Sequence, residues 1–230
     1  MLSIGFVIHG NISNNLMIKH QEYNTALQIN NDKDLFEYGM RTNVGNAFVY
    51  GELKAIDTVT YPEIGGSYSY VEKVKERYTQ HTRTVTKTKV VNGKTKTYTD
   101  TEVYWSWDRI GSWSQHCDKI SFLDVEFDYG MISFPIPSHI DTQKESSRIR
   151  YKYYGSPTSC VGTLYTILKD DTINNTNFFQ YRTIEETIEV LETEWQLIVF
   201  WIVWIILTGG CVFGFCNLDN RWLEDKNNYY

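Results

Sequence analysis

Between Leu197 and Cys216 the chain reads LIVFWIVWIILTGGCVFGFC, twenty residues without a charge or a strongly polar side chain. As a helix this stretch covers roughly 30 Å, the thickness of a bilayer's hydrocarbon core. Trp195 lies just before it and Trp222 just after, about 40 Å apart on the same helical rise, which matches the two headgroup levels that indole rings favour. A transmembrane helix over 197–216 is therefore expected, with Trp195 and Trp222 as its interface anchors. Within it Gly210 and Gly214 form a G-x-x-x-G step, which lets two helices approach closely and suggests a homodimer through the span. Glycine is also frequent in spans for other reasons.

Removing the span and its tail from the 230 residues leaves enough chain for one domain. An aromatic content of 15% with 17 tyrosines, together with runs of Thr, Val and Phe, favours strands in that domain. The expected fold is a mainly β (α+β) domain with a long two-stranded hairpin, followed by an amphipathic helix continuous with the transmembrane helix. The net charge of −6 gives no sign of nucleic-acid binding. Cys211 and Cys216 lie inside the span. Cys117 and Cys160 remain in the polar domain, either bridged or as two buried thiols, and no paired Cys/His spacing suggests zinc.

Along the chain, residues 1–44 form an N-terminal segment. Met1 to Ile8 is apolar but spans only about 12 Å, too short to cross a bilayer, and it lacks the marks of a signal peptide. Two readings stand: a surface strand or anchor, or the last turns of a first span whose upstream part is missing. Met17 to Tyr38 reads as a polar stalk helix. A β-rich domain follows over 45–180. It has a strand at Ala47–Ile56 with a bulge at Gly51, and a turn at Pro62, Gly65 and Gly66. A long hairpin turns at Asn92-Gly93, a pair suited to a two-residue type I′ turn. Ile120 to Phe134 alternates apolar and acidic residues as one half-buried strand that bends at Gly130. Ser147–Tyr154 and Cys160–Leu168 are further strands, and 170–177 is loop. Thr183 with Glu186 makes a capping box for a membrane-proximal helix over 183–196, and its apolar stripe is Ile184, Ile188, Leu191 and Trp195. Glu185, Glu186, Glu189, Glu192 and Glu194 form an acidic collar there. A tail over 217–230 closes the chain.

Arg221 and Lys226 follow the span and only Arg182 lies close ahead of it, which places the tail in the cytoplasm and the domain outside. A lone C-terminal span instead resembles a tail anchor with the opposite orientation. The two agree if residues 1–8 belong to a first span, and that arrangement is the one expected.

Eight cations crowd the hairpin: Lys73, Lys75, Arg77, Arg83, Lys87, Lys89, Lys94 and Lys96. They form a basic rod on an acidic protein, suited to an anionic polymer or to lipid headgroups, each charge being worth about 1 kcal/mol near an anionic surface. An exposed ribbon also carries Lys simply to stay soluble and to block edge pairing. A basic binding face would want these charges on one side, and by position they occupy both parities, although how Lys87 and Lys89 stand against Lys94 and Lys96 across the turn needs the register. Trp105 and Trp107, two apart on a strand, share a side and either stack a sugar or base or pack on their own core. His116, Cys117 and Asp118 are consecutive and do not converge. No catalytic, nucleotide-binding or metal-binding motif is present, so no catalytic residue, metal or cofactor is implied.

The stretches GELKAIDTVTYPEIGGSYSYVEKVKERYTQHTRTV, NGKTKTYTDTEVYWSWDRIGS and FLDVEF resemble a group of uncharacterised membrane proteins of Gram-positive bacteria and their phages. In that group a polar domain sits between two spans, and the likeness runs from about Tyr23 to the span. This chain departs from the pattern at Met1, where a full first span is lacking. More distantly, the order of strand, turn, hairpin and Trp resembles the membrane-flanked domains of LUMA-type envelope proteins and GIDE-type ubiquitin ligases. With no RING finger here, no ligase role is implied. The expected function is non-enzymatic binding or assembly at a membrane. The competing classes are a membrane-anchored hydrolase or transferase with a cleft in the β-domain, and a small phage-encoded factor acting on the host envelope. A concave pocket where titratable groups converge would favour the hydrolase or transferase.

Overall fold

The structure, a computed structural model, describes the backbone of residues 2–91 and 93–227 and the side chains of 4–91 and 93–219. Asn92 at the hairpin tip and the side chain of Trp222 lie outside the described residues.

The element order is α1 (Leu2–Thr25), β1 (Leu27–Asn30), α2 (Lys33–Arg41), β2 (Gly45–Ala55), β3 (Tyr70–Val91), β4 (Lys94–His116), β5 (Lys119–Phe122), β6 (Val125–Asp128), β7 (Ser138–Ser146), β8 (Ile149–Ser156), β9 (Ser159–Lys169), β10 (Thr172–Gln180), α3 (Ile184–Glu192) and α4 (Trp195–Asn227). The strands form two sheets. One runs β10-β9-β2-β5-β6 with β1 added parallel to β2, and the other runs β4-β3-β8-β7. This is the expected mainly β fold with a long apolar C-terminal helix.

The first sheet is covered on both faces, which follows from the period of two along its strands. Ala47, Val49 and Leu53 of β2, with Leu164 and Leu168 of β9, enter a core shared with Phe36 and Met40 of α2 and with Ile120, Phe122 and Ile132. The alternate residues Phe48 and Tyr165 turn to the other face. There they meet Tyr23 in the last turns of α1, Ala26 just after it, and Ile184 of α3. Each fully buried Phe, such as Phe36, Phe48 or Phe122, contributes about 1.5–3 kcal/mol through burial.

Several expectations change here. The domain begins at β1 rather than residue 45, because Ile29, Phe36 and Met40 are core residues, and the stalk helix expected over Met17–Tyr38 divides into the end of α1, β1 and α2. Asp32 starts α2 by accepting the Leu35 amide at 3.0 Å. The apolar start is no strand among the described residues: Leu2 onward is helical. Gly51 is not a bulge, since β2 and β9 pair without a break from Gly45 to Lys54; it leaves room for Leu123, whose Cδ2 lies 2.6 Å from where a Cβ would stand. Ile120–Phe134 is two strands, folded back through Leu123 and Asp124 at φ 51° and 57°. The expected loop at 170–177 is largely β10, reached through Asp170 and Asp171 at φ 56° and 57°.

The capping box at Thr183 and Glu186 is present in both directions, at 3.3 and 3.0 Å. The membrane-proximal helix leads directly to the long apolar helix as expected, but not without interruption. At Thr193 the backbone leaves the helix at ψ 118°, while the Thr193 hydroxyl donates back to the Glu189 carbonyl at 2.9 Å. A β-branched residue that bonds its own helix end in this way gives the backbone an alternative to continuing the helix. The helix resumes at Trp195.

The α4 region is long and apolar enough to cross a membrane. Its most apolar window has a mean hydropathy of 2.4, and no residue of that window is fully buried in the protein. The start of α1 runs antiparallel beside it. Phe6 meets Trp201 edge-on at 6.0 Å, and Gly5 lets the Trp204 indole approach so closely that a Cβ there would lie 2.6 Å from Nε1.

Candidate functional site

Beyond Arg77 the strand β3 loses its neighbour β8, and only β4 accompanies it to Val91. At about 3.3 Å per residue this leaves a bare two-stranded arm reaching roughly 45 Å past the sheet. Such a ribbon is marginal in isolation, so its cross-strand pairs decide whether it holds.

Pairing register sorts those pairs by chemistry. Lys87 faces Tyr98, Lys89 faces Lys96, Val91 faces Lys94, Arg83 faces Glu102 and Arg77 faces Asp108. Directly paired residues share a face. The one irregularity, between Lys75 and Glu76, adds a residue to β4 and leaves the alternation of β3 intact, so all eight candidate cations lie on one face; the expected spread over both parities is corrected, because the two-residue turn puts even-numbered Lys94 and Lys96 opposite odd-numbered Val91 and Lys89. The opposite face beyond Trp105 carries no charge. It pairs Thr84 with Thr101, Thr86 with Thr99 and Thr88 with Thr97.

The eight cations do not act alike. Lys73 contacts Glu63 at 2.5 Å, Lys75 contacts Glu145 at 3.4 Å, Arg83 contacts Glu102 at 3.1 Å, and Lys87 reaches Asp100 at 2.7 Å and Glu102 at 3.3 Å. Lys87 is held above the ordinary lysine pKa first by its bond to Asp100, and Asp100 correspondingly lies below the ordinary carboxylate range. Among the described residues no carboxylate lies within salt-bridge distance of Arg77, Lys89, Lys94 or Lys96. The uncompensated charge of the ribbon is therefore concentrated at its tip, where Val90 and Val91 are also exposed.

Trp105 and Trp107 lie on the face opposite the eight cations and pack against neighbours. Tyr78 stands between them, 5.3 and 5.2 Å from their rings, while the Arg148 and Arg150 guanidiniums cover them at 5.5 and 4.1 Å. Glu76 holds Arg150 at 2.5 Å and Lys152 at 3.3 Å, fixing the cover in place.

A Ser, an Asp and a His do meet, but in the wrong order for nucleophilic catalysis. Asp108 lies between them, accepting from Ser106 Oγ at 3.0 Å and contacting His81 Nε2 at 2.6 Å, so the serine has no base beside it. Cys117 and Cys160 are both free and buried, and burial raises both thiols, Cys117 to about 11. Among the described residues no group of three metal-ligating side chains exists.

A concave pocket is present elsewhere, where Tyr61, Lys73, Trp113 and Tyr151 line a cleft of about 520 Å³. Its Lys73 is held above its ordinary pKa, first by the bond to Glu63, and burial raises Tyr61. Both stay protonated near neutral pH, so neither supplies a general base. The sequence points to Lys73 as an anion contact and to Trp113 only as a packing neighbour of Trp105 and Trp107, because the cleft exists only once β3, β4 and β8 are in register.

In the apolar helix, Trp195 is 58% exposed at its start, and a Cβ built at Gly210 or Gly214 meets nothing within 4 Å. The packing of α1 at Trp201 and Trp204 leaves this glycine face open. Compared with known proteins, the chain matches no family model, and neither a curated protein nor a solved structure shows significant similarity to it.

Proposed function

We propose that this chain is a membrane-anchored binding or assembly protein. In this reading α4 fixes it in a bilayer and the ribbon delivers its tip to an anionic surface, either a phosphate-bearing polymer or lipid headgroups. The observation that carries the reading is the three lysines Lys89, Lys94 and Lys96 on one face of the tip, with no carboxylate in reach among the described residues. Lys89 and Lys96 lie directly opposite each other, an arrangement that costs the free ribbon stability and is relieved by a multivalent anion. The positive residues after the span favour a cytoplasmic tail and an extracytoplasmic domain, and the open glycine face of α4 favours pairing of two copies in the membrane.

The test uses the full chain in neutral nanodiscs, titrated separately with polyphosphate and with vesicles containing phosphatidylglycerol. Binding to at least one is expected, weakening with salt. At about 1 kcal/mol for each lysine, the variant Lys89→Gln/Lys94→Gln/Lys96→Gln should bind roughly a hundredfold more weakly. Equal binding by this variant, or binding to neither probe, overturns the proposal. Which probe is retained tells polymer from headgroup.

A further inference from the structure

The cleft beside Lys73 has a composition unlike that of the ribbon tip, and it begins with a glycine. A Cβ built at Gly111 would stand 3.2, 3.7 and 3.8 Å from three atoms of the Trp113 six-membered ring. The indole therefore leans back along β4 with the far corner of its six-membered ring over the space that Gly111 leaves empty, and 52% of the residue stays exposed. An aromatic ring that covers a strand glycine in this way is steadied by the backbone beneath it.

The other walls are aromatic too. Across the sheet Trp113 pairs with Lys73, Lys73 with Tyr153, and Lys75 with Tyr151, so the cleft spans three strands. Lys73 Nζ lies 4.8 Å from the Tyr151 ring centre, 5.5 Å from that of Tyr153 and 5.6 Å from that of Tyr61. Tyr61 is carried by a turn that is already closed. The amides of Ile64 and Gly65 donate to its carbonyl at 3.1 and 3.2 Å, and the Thr60 hydroxyl donates to Gly65 at 2.7 Å. Gln143 donates to the Glu63 carbonyl at 3.0 Å, tying the same turn to β7. The walls are thus preformed, which lowers the ordering cost of binding.

Charge narrows what can enter. Glu63 neutralises Lys73 at 2.5 Å, so an anion would meet a carboxylate beside the ammonium and a second cation would meet the ammonium. An uncharged ring with hydroxyls fits this pair, since it can accept from Lys73 and donate to Glu63 while its C–H face lies on an indole. Ser114 and Gln115 at the rim add further polar atoms. The volume of about 520 Å³ is within the range of small-ligand sites.

We propose that this cleft is a saccharide-binding site that takes a neutral sugar ring flat on Trp113, with the Lys73–Glu63 pair bonding its hydroxyls. The site uses none of the tip lysines and stands apart from the function proposed above. If both hold, the protein binds a neutral glycan at the base of the ribbon and an anionic surface at its end.

The experiment titrates the full chain, in nanodiscs, with neutral trisaccharides of glucose and of N-acetylglucosamine by calorimetry. At least one should bind, with little dependence on salt. Trp113→Ala should weaken that binding about tenfold or more, and Gly111→Ala, which lifts the indole, should weaken it as well. Trp113→Phe should retain part of it, and the triple tip variant should retain all of it. Unchanged melting of Trp113→Phe and Gly111→Ala guards against a folding defect. The proposal fails if no trisaccharide binds at about 10 mM, if Trp113→Ala binds as the parent does, or if salt abolishes the interaction.

Discussion

Lys89 and Lys96 face each other across the ribbon as a directly opposed pair, and among the described residues neither has a carboxylate in salt-bridge range. Like charges so placed destabilise a two-stranded ribbon, whereas opposite charges stabilise it by about 0.2–1 kcal/mol. Lys96→Glu should therefore slow amide exchange along the outer ribbon and, in the same protein, weaken binding to the anionic probe. Stability and binding moving in opposite directions is the expected signature. A variant that lowers both, or that leaves binding unchanged, would show that the tip is not the contact.

Gly162 in β9 allows β10 to approach. A Cβ there would overlap the Phe179 carbonyl oxygen and stand 3.1 Å from Gln180 Cα, both backbone atoms that cannot swing aside. Gly162→Ala should therefore displace β10 and lower stability by about 1–3 kcal/mol, read as an earlier urea midpoint. Because β10 leads straight into α3, exchange protection of the Thr183–Glu186 cap should fall along with it.

Asp57, just past β2, accepts the amides of Asp118 and Lys119 at 2.7 and 2.9 Å and so holds the start of β5. These two donors keep its carboxyl below the ordinary range, the Asp118 amide first. A carboxyl depressed in the fold adds stability above its unfolded value, and that contribution fades as pH falls through the folded one. Asp57→Asn should therefore be less stable than the parent near pH 7, and the gap should close toward about pH 3. A gap that stays constant with pH would assign the loss to packing instead.

What could be read from the sequence, and what could not, separates by the range of the interaction. The uncharged run from Leu197 needs no partner to be recognised, nor does the Thr183–Glu186 box, whose donors and acceptors lie within one turn. A two-residue turn between Val91 and Lys94 is likewise legible, and Gly93 is at φ 73°. Leu123-Asp124 and Asp170-Asp171 make tight turns at positive φ without glycine. There strand pairing overrides a local preference that no single residue advertises, so the sequence pattern alone shows neither the break inside Ile120–Phe134 nor the strand within 170–177. The segregation of lysines from threonines is hidden in the sequence, where the cations fall on odd positions of one arm and even positions of the other. It became a statement about faces only when register placed Lys89 opposite Lys96. The cleft was the least legible feature, since Tyr61, Lys73, Trp113 and Tyr151 are far apart in the chain and nothing in their spacing brings them together.

The open glycine face of α4 has a consequence for assembly. Gly210 and Gly214 are one turn apart on a helix whose packing with α1 lies nearer its start, around Trp201 and Trp204. In lipid, apolar surface alone does not drive helices together; close backbone approach does, and it requires small residues at the crossing. A branched side chain at Gly210 would hold two copies apart without touching α1. Gly210→Ile should therefore lower the dimer fraction of the full chain in detergent, measured by crosslinking or analytical centrifugation, while the melting of the β-domain stays within about 0.5 kcal/mol of the parent. If the parent is a monomer across detergents, or if Gly210→Ile dimerises as well as the parent, the helix does not pair through this face, and two-copy avidity cannot contribute to binding at the ribbon tip.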